Sequence, residues 1–232
     1  MLVTGASRGI GEGISSLLAE EGARVIGTCT SKPNEPPAFV SEWREIDFTN
    51  VESLKEFCRW LMYTEQLDAC INNAGINIIK PLKKVTDEDY RKIQAINLEA
   101  PYHISRAVSE SMRRNGGGRI VNIASIWSCV TKCWRSLYST TKSGLVGMTR
   151  AMAVELAPEN ILVNAVSPGF TLTDLTRSSL TPEQMAELAE QVPMRRFAEV
   201  PEIARVVAFL ASEENTYLTG QNLVVDGGFT IV

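Results

Sequence analysis

The chain has 232 residues, 44% of them hydrophobic and 22% charged, the range in which a single α/β domain buries a sizeable core. Its 23 Lys and Arg against 27 Asp and Glu leave a net charge of −4, so nothing general draws it to nucleic acid or to an anionic membrane. The longest apolar runs, such as the one at Val206 to Leu210, fall far short of the roughly 20 residues of a membrane span.

The amino terminus, Met1-Leu2-Val3-Thr4-Gly5, enters a strand at once and lacks the charged and long apolar regions of a signal peptide, so a cytosolic location is expected. The five cysteines are an odd number in an apolar-cored chain and are expected to be reduced thiols. Cys129 and Cys133 stand four apart, but His103 is the single histidine, so no metal site is expected.

Val3 closes a short first strand. Residues 9–21 follow as a helix with Ile10, Ile14, Leu17 and Leu18 on one stripe, ended by Gly22. Residues 23–28 are a second strand, the Pro-rich loop 31–37, which includes Pro33, breaks it, and a third strand ends at Asp47. Residues 51–63 form a helix, and residues 67–71 a buried strand running into Asn72-Asn73-Ala74-Gly75. Thr86 opens the next helix with Asp89 as its capping-box acid, and Ala100-Pro101-Tyr102 reads as a further helix start with His103 on it. A strand at 119–124 follows the glycines 116–118. A helix at about 138–156, a strand at 161–167, helices at 181–191 and 201–211, and a strand at 223–225 complete the chain. This alternation, with no linker and no repeat, predicts a Rossmann-type doubly wound parallel sheet of about seven strands with helices on both faces, in one domain.

The segment Thr4-Gly5-Ala6-Ser7-Arg8-Gly9-Ile10-Gly11 sits where the first strand turns into the first helix, where backbone N–H groups and a helix end can hold a pyrophosphate. An acid at the end of the second strand would accept from the adenosine ribose of NAD and repel a 2′-phosphate. That region here reads Thr28-Cys29-Thr30-Ser31-Lys32, with no acid before Glu35, while Arg8 and Lys32 supply positive charge and the threonines, Thr28 among them, are expected to give hydrogen bonds to the cofactor. NADP(H) is therefore expected over NAD(H).

Seven phrases in order, TGASRGIG at 4–11, NNAG at 72–75, Asn97 in AINL, Ser125 in VNIAS, YSTTK at 138–142, NAVSPG at 164–169 and TGQNLVVDGG at 219–228, carry a family resemblance. The chain resembles the short-chain dehydrogenase/reductases over essentially its whole length, and its tail is most similar to the 3-oxoacyl-carrier-protein reductases. Sugar, polyol and small keto-acid dehydrogenases of the same family share these phrases and stay open, as does a non-catalytic subunit or sensor that merely binds dinucleotide. Two departures set the chain apart from the carrier-protein reductases. Glu159 in Ala157-Pro158-Glu159-Asn160 stands where they tend to carry a basic residue, and Trp127, Lys132, Trp134 and Arg135 follow Ser125 where small residues are expected. If Trp127, Trp134 and Arg135 line the substrate mouth, they suit a polar or anionic substrate; the alternative is that the tryptophans fill core or subunit contacts.

Tyr138 and Lys142 are one helical turn apart on one face. An ammonium beside a phenol favours phenolate, so Lys142 is expected to lower the Tyr138 pKa toward a value useful for proton transfer. Ser125, at the carboxyl end of a central strand, would hold the substrate oxygen against Tyr138. The resemblance adds Asn97 as the holder of a water leading from Lys142 to solvent, and Lys142 as a ribose ligand. It also implies Asp47 on the adenine, Asn73 along the cofactor channel, and Thr171 and Thr173 on the carboxamide or phosphate side. The segment 172–196 is expected to close over substrate. The resemblance further implies a homodimer or homotetramer built on the helix of Tyr138 and its neighbour, which the apolar Phe229-Thr230-Ile231-Val232 could join.

Overall fold

The computed structural model describes residues 1–32, 35–64 and 66–232; Pro33 of the expected Pro-rich loop lies outside them. Seven parallel strands form the main sheet: β1 (Leu2–Val3), β2 (Ile26–Cys29), β3 (Glu42–Glu45), β4 (Ala69–Asn72), β5 (Gly118–Ile123), β6 (Ile161–Pro168) and β7 (Asn222–Val225). Their order across the sheet is β3-β2-β1-β4-β5-β6-β7, the doubly wound arrangement in which β1 and β4 are neighbours at the switch in strand order. Ligands bind above the carboxyl ends of the strands at such a point. A separate two-stranded ribbon pairs Thr171–Leu172 with Ala198–Glu199.

Helices cover both faces because strands β4 and β6 are buried throughout, and β5 at all but Arg119, and offer apolar side chains on each side. On one face, α2 (Val51–Tyr63), α4 (Ala100–Arg114) and α5 (Ser136–Leu156) bring Leu54, Phe57, Leu61, Ile104, Val108, Met112 and Leu156 against Ile120 and Val163. On the other, α1 (Gly9–Glu20) and α8 (Val200–Ala211) bring Ile14, Leu18, Ile203, Val207 and Leu210 against Val3, Ile71, Val121 and Val166. Each such side chain contributes roughly 1.5–3 kcal/mol on burial. Helices α3 (Asp87–Gln94), α6 (Asp174–Ser179) and α7 (Pro182–Glu190) complete the set.

Two expectations of local structure are corrected. The second strand starts at Ile26 instead of residue 23, because Gly22 and Ala23 are spent ending α1: the Gly22 N–H donates to Ala19 O at 3.0 Å and the Ala23 N–H to Leu18 O at 2.9 Å. Ala100-Pro101 is not a helix start. A π-helical turn at Ala95–Glu99 joins α3 to α4 in one continuous run, with the Ala100 N–H bonded five residues back to Ala95 O. Pro101 has no N–H to give, so the Asn97 carbonyl is free of the usual bond from four residues ahead.

Candidate active site

The turn after β1 is shaped from both sides. Gly5 and Gly9 take φ of +66° and +60°, and a Cβ on Gly11 would lie 2.2 Å from Gly5 O, so the helix can approach the turn this closely only without a side chain. The Thr28 hydroxyl accepts from the Gly5 N–H at 3.1 Å. The Asn73 amide donates to Thr4 O at 2.9 Å and Gly5 O at 3.1 Å, tying the end of β4 to the turn. Thr28 is 1% exposed. Its hydroxyl therefore supports the turn from beneath and does not reach out to a ribose.

Helices α2, α3, α6 and α7 open on Asn50, Thr86, Thr173 and Thr181, whose side chains accept from first-turn N–H groups. Helix α1 opens on Arg8, whose side chain makes no cap, so the N–H groups of Gly9, Ile10 and Gly11 are left for an outside acceptor. Ser7 is half-buried beside them, Arg8 is exposed, and Thr173 overlies the turn, within 3.5 Å of a Cβ built on Gly9. By geometry and by the sign of the helix dipole, these groups could hold a pyrophosphate. Thr171, by contrast, is buried and its hydroxyl donates to Gly169 O at 3.2 Å. Asp47 accepts from the Thr49 N–H at 2.8 Å and the Thr49 hydroxyl at 2.7 Å, bonds that hold its carboxyl below the usual range and shape the turn before α2.

Four residues from three separate parts of the chain, Asn97, Ser125 and the pair Tyr138 and Lys142, come together near the carboxyl end of β5. Ser125 follows its carboxyl end, its hydroxyl accepts from the Trp127 N–H at 3.3 Å, and it lies near enough to the Tyr138 phenol to draw the phenol's pKa down. Lys142, 3% exposed, donates to Ile123 O at 2.6 Å, and its Nζ lies 5.6 Å from the Tyr138 ring centroid. The Asn97 amide is fully engaged, accepting from the Ile76 N–H at 2.9 Å and donating to Ile76 O at 2.8 Å and Thr141 Oγ1 at 3.3 Å. A Cβ on Gly75 would stand 3.5 Å from Asn97 Oδ1 and 3.6 Å from Lys142 Nζ, so this glycine separates the two.

The electrostatics depart from the sequence-based expectation. Burial pushes the Tyr138 pKa up, and the groups that draw it back down are the Ser125 hydroxyl and the Arg135 guanidinium. Lys142 is not among them. Its ammonium is itself disfavoured by burial, which lowers its pKa to about 8, and its hydrogen bond goes to the Ile123 carbonyl.

Of the three residues expected at the substrate mouth, the fold brings two together. Trp127 is buried edge-on to Phe170 and Phe229, and the Arg135 guanidinium lies over its ring with Cζ 5.1 Å from the centroid. Trp134 stands apart, 60% exposed on a left-handed turn with φ of +69°.

Sequence reasoning missed three neighbours because each comes from a different strand or helix. Glu45 pairs in register with Cys29, and its carboxylate accepts from the Lys32 N–H at 2.6 Å, so an acid does stand at the end of β2. Alternating strand order was the one signal that could have located it. Arg113 of α4 meets Glu159 at 2.7 Å and Glu110 at 2.8 Å, so the place read as acidic is of mixed charge. Thr141 holds the Asn97 amide, and its spacing from Tyr138 alone gives no hint of that.

The family model described as enoyl-(acyl carrier protein) reductase matches residues 5–230. The 3-oxoacyl-[acyl-carrier-protein] reductase of Vibrio cholerae is 38% identical over 100% of this chain and 97% of its own length. The enzyme of the same name from Escherichia coli is 39% identical over the same shares. A structure from Beutenbergia cavernae, described as an NAD(P)-dependent gluconate 5-dehydrogenase with bound NADP, superposes with a TM-score of 0.92 at 31% identity, covering 100% of this chain and 96% of that one. Full-length similarity of this kind, on a fold that gathers Ser125, Tyr138, Lys142 and Asn97 at the strand ends, makes this oxidoreductase a member of the short-chain dehydrogenase/reductase family.

Proposed function

We propose that the protein is an NADP(H)-dependent reductase acting between a carbonyl and a secondary alcohol. The observation that carries this reading is the Tyr138 phenol set beside Ser125, with the buried Lys142 amine one turn further along the same helix and 5.6 Å from the Tyr138 ring centroid. A protein that only bound dinucleotide would have no use for a proton donor so placed.

In the reductive direction Tyr138 gives its phenolic proton to the substrate oxygen, which Ser125 holds in place. When bound, the nicotinamide supplies the hydride to the carbonyl carbon. Lys142, with a pKa of about 8, exchanges protons near neutrality and returns one toward Tyr138. The Asn97 carbonyl, released by Pro101 and the π turn, accepts from a water on the way to solvent.

The residues proposed to hold the cofactor are Gly5, Ser7, Arg8, Gly9, Ile10 and Gly11 for the pyrophosphate and Lys142 for the ribose. Asp47 would meet the adenine, and Thr171 and Thr173 the carboxamide or phosphate side. Thr28 and Asn73 act by shaping the turn. Arg8 and Lys32 favour a 2′-phosphate, and the relative from Beutenbergia cavernae with bound NADP supports that choice. The segment 172–196 would close over substrate, and α4 and α5 would pair copies of the chain into a dimer or tetramer.

The relatives support a 3-oxoacyl thioester as the substrate class. A second reading, a sugar, polyol or small keto acid, is favoured by the Arg135 guanidinium over Trp127 beside the proton donor. Tyr138→Phe tests the shared chemistry. Carbonyl reduction is expected to fall by roughly 10²–10⁴-fold with NADPH affinity nearly unchanged; undiminished turnover would remove Tyr138 from the mechanism.

A further inference from the structure

Arg135 stands at the head of α5, three residues before Tyr138. Its guanidinium is half-buried against the indole of Trp127, and it makes no ion pair and no side-chain hydrogen bond among the described residues. Of the other half-buried cations, Arg44 has Glu42 and Lys80 has Asp89, while Arg119 gives its hydrogen bonds to the Asn215 and Gly118 carbonyls; Arg135 has neither kind of partner among the described residues. A guanidinium drawn out of water without a counter-charge is costly unless something else compensates it.

Open space on the Trp127 side can admit that charge. A cavity of about 310 Å³ opens against Trp127, walled by Phe170 and Phe229, with Lys132 and Gln191 on its lining and no Asp or Glu side chain there. Trp127 links the two: its ring carries Arg135 and also faces the cavity. The same residue sits two positions after Ser125, so an anion held at Arg135 belongs to a group close to the reacting carbon. The phosphate of a carrier arm is at the far end of a long chain from its thioester and does not fit that place.

We propose that Arg135, held flat on Trp127, receives the carboxylate of the substrate, so that the protein acts on keto acids and the corresponding hydroxy acids in preference to neutral ketones and thioesters. The inference rests on the carbonyl-reductase reading above and narrows it. A guanidinium is the group for this task because its planar fork meets both carboxylate oxygens, while the indole face keeps that plane from turning.

The test follows NADPH oxidation with 3-, 4- and 5-oxohexanoate, their methyl esters and an acetoacetyl thioester. At least one acid is expected to exceed its ester in kcat/KM by about tenfold or more, the order of a charge-assisted hydrogen bond. Arg135→Met is expected to erase that advantage, lowering kcat/KM for the acid about tenfold more than for its ester and chiefly through KM; Arg135→Lys restores part of it. Equal rates for acid and ester in the natural protein overturn the proposal. So does an equal loss on both in Arg135→Met, which would mean that the guanidinium acts on Tyr138 alone. Turnover of esters or thioesters only sinks the anion site and spares the reductase reading; no turnover of any compound sinks both.

Discussion

Lys142 donates to the carbonyl oxygen of Ile123 at 2.6 Å, while its Nζ stays 5.6 Å from the ring centroid of Tyr138. The buried amine thus spends its hydrogen bond on the backbone at the end of β5, and the Tyr138 phenol is tuned by Ser125 and Arg135. Helix α5 is thereby fastened to the strand that presents Ser125.

The buried ammonium has a stability consequence. The Lys142 pKa drops from 10.5 in a free chain to about 8 in the folded one. Below about pH 8 both states carry the proton and the folded state bears the full penalty of burying it. Between that pH and about 10.5 the unfolded chain holds a proton that the folded chain has shed, so stability rises with pH. Lys142→Met is therefore expected to be more stable than the natural protein by roughly 1–3 kcal/mol at pH 7, to lose that margin toward pH 10.5, and to lose turnover. Urea unfolding at the two pH values measures it, and a less stable variant at neutral pH contradicts it.

Gly11→Ala would put a methyl group 2.2 Å from Gly5 O and 2.4 Å from the Asn73 amide nitrogen. Helix and turn would have to separate, at roughly 1–3 kcal/mol. A lower melting temperature and at least tenfold weaker NADPH binding, by fluorescence titration, are the expected results; unchanged binding would mean that the turn is not the phosphate cradle.

Glu45 bears on cofactor choice because it stands against Lys32, where a 2′-phosphate would approach. Removing its charge in Glu45→Gln is expected to raise the ratio of kcat/KM for NADPH over NADH by about tenfold, the scale of one nearby like charge in a partly wet site. An unaltered ratio would place the 2′-position elsewhere.

A buried amide chain braces the site from behind. Asn72 donates to Ser105 Oγ at 2.9 Å and to Asn122 Oδ1 at 2.8 Å, and Asn122 donates to Thr149 Oγ1 at 2.9 Å, linking β4, β5, α4 and α5. Asn122→Ala leaves Asn72 short of an acceptor and Thr149 short of a donor. The expected cost is about 2–4 kcal/mol in urea unfolding; a loss under 1 kcal/mol would show the chain to be dispensable.

Much of this was legible in the amino-acid order, and the reason is local. The bounds of α2 and the capping box of Thr86 and Asp89 depend on residues within a few positions of one another, and both appear where expected. The strand–glycine turn–helix unit at Thr4 to Gly11 is equally local. What escaped depends on contacts across the sheet. Glu45 reaches Lys32 only because β3 lies beside β2, Thr28 is spent on the Gly5 N–H from a neighbouring strand, and Arg113 meets Glu159 from another helix. The Tyr138 environment was misjudged for a related reason: spacing shows that Lys142 is one turn away, but not that burial acts on both groups at once.

The π turn at Ala95–Glu99 amounts to one residue more than a regular helix needs. Deleting a single residue there would let α3 and α4 merge into an ideal rod, and the chain could fold with no visible defect. Asn97 would then swing about 100° around the axis, away from Gly75 and the amine beyond it. Straightening this helix for the sake of stability would thus trade away the proposed water route, a warning for anyone redesigning the molecule by regularising its backbone.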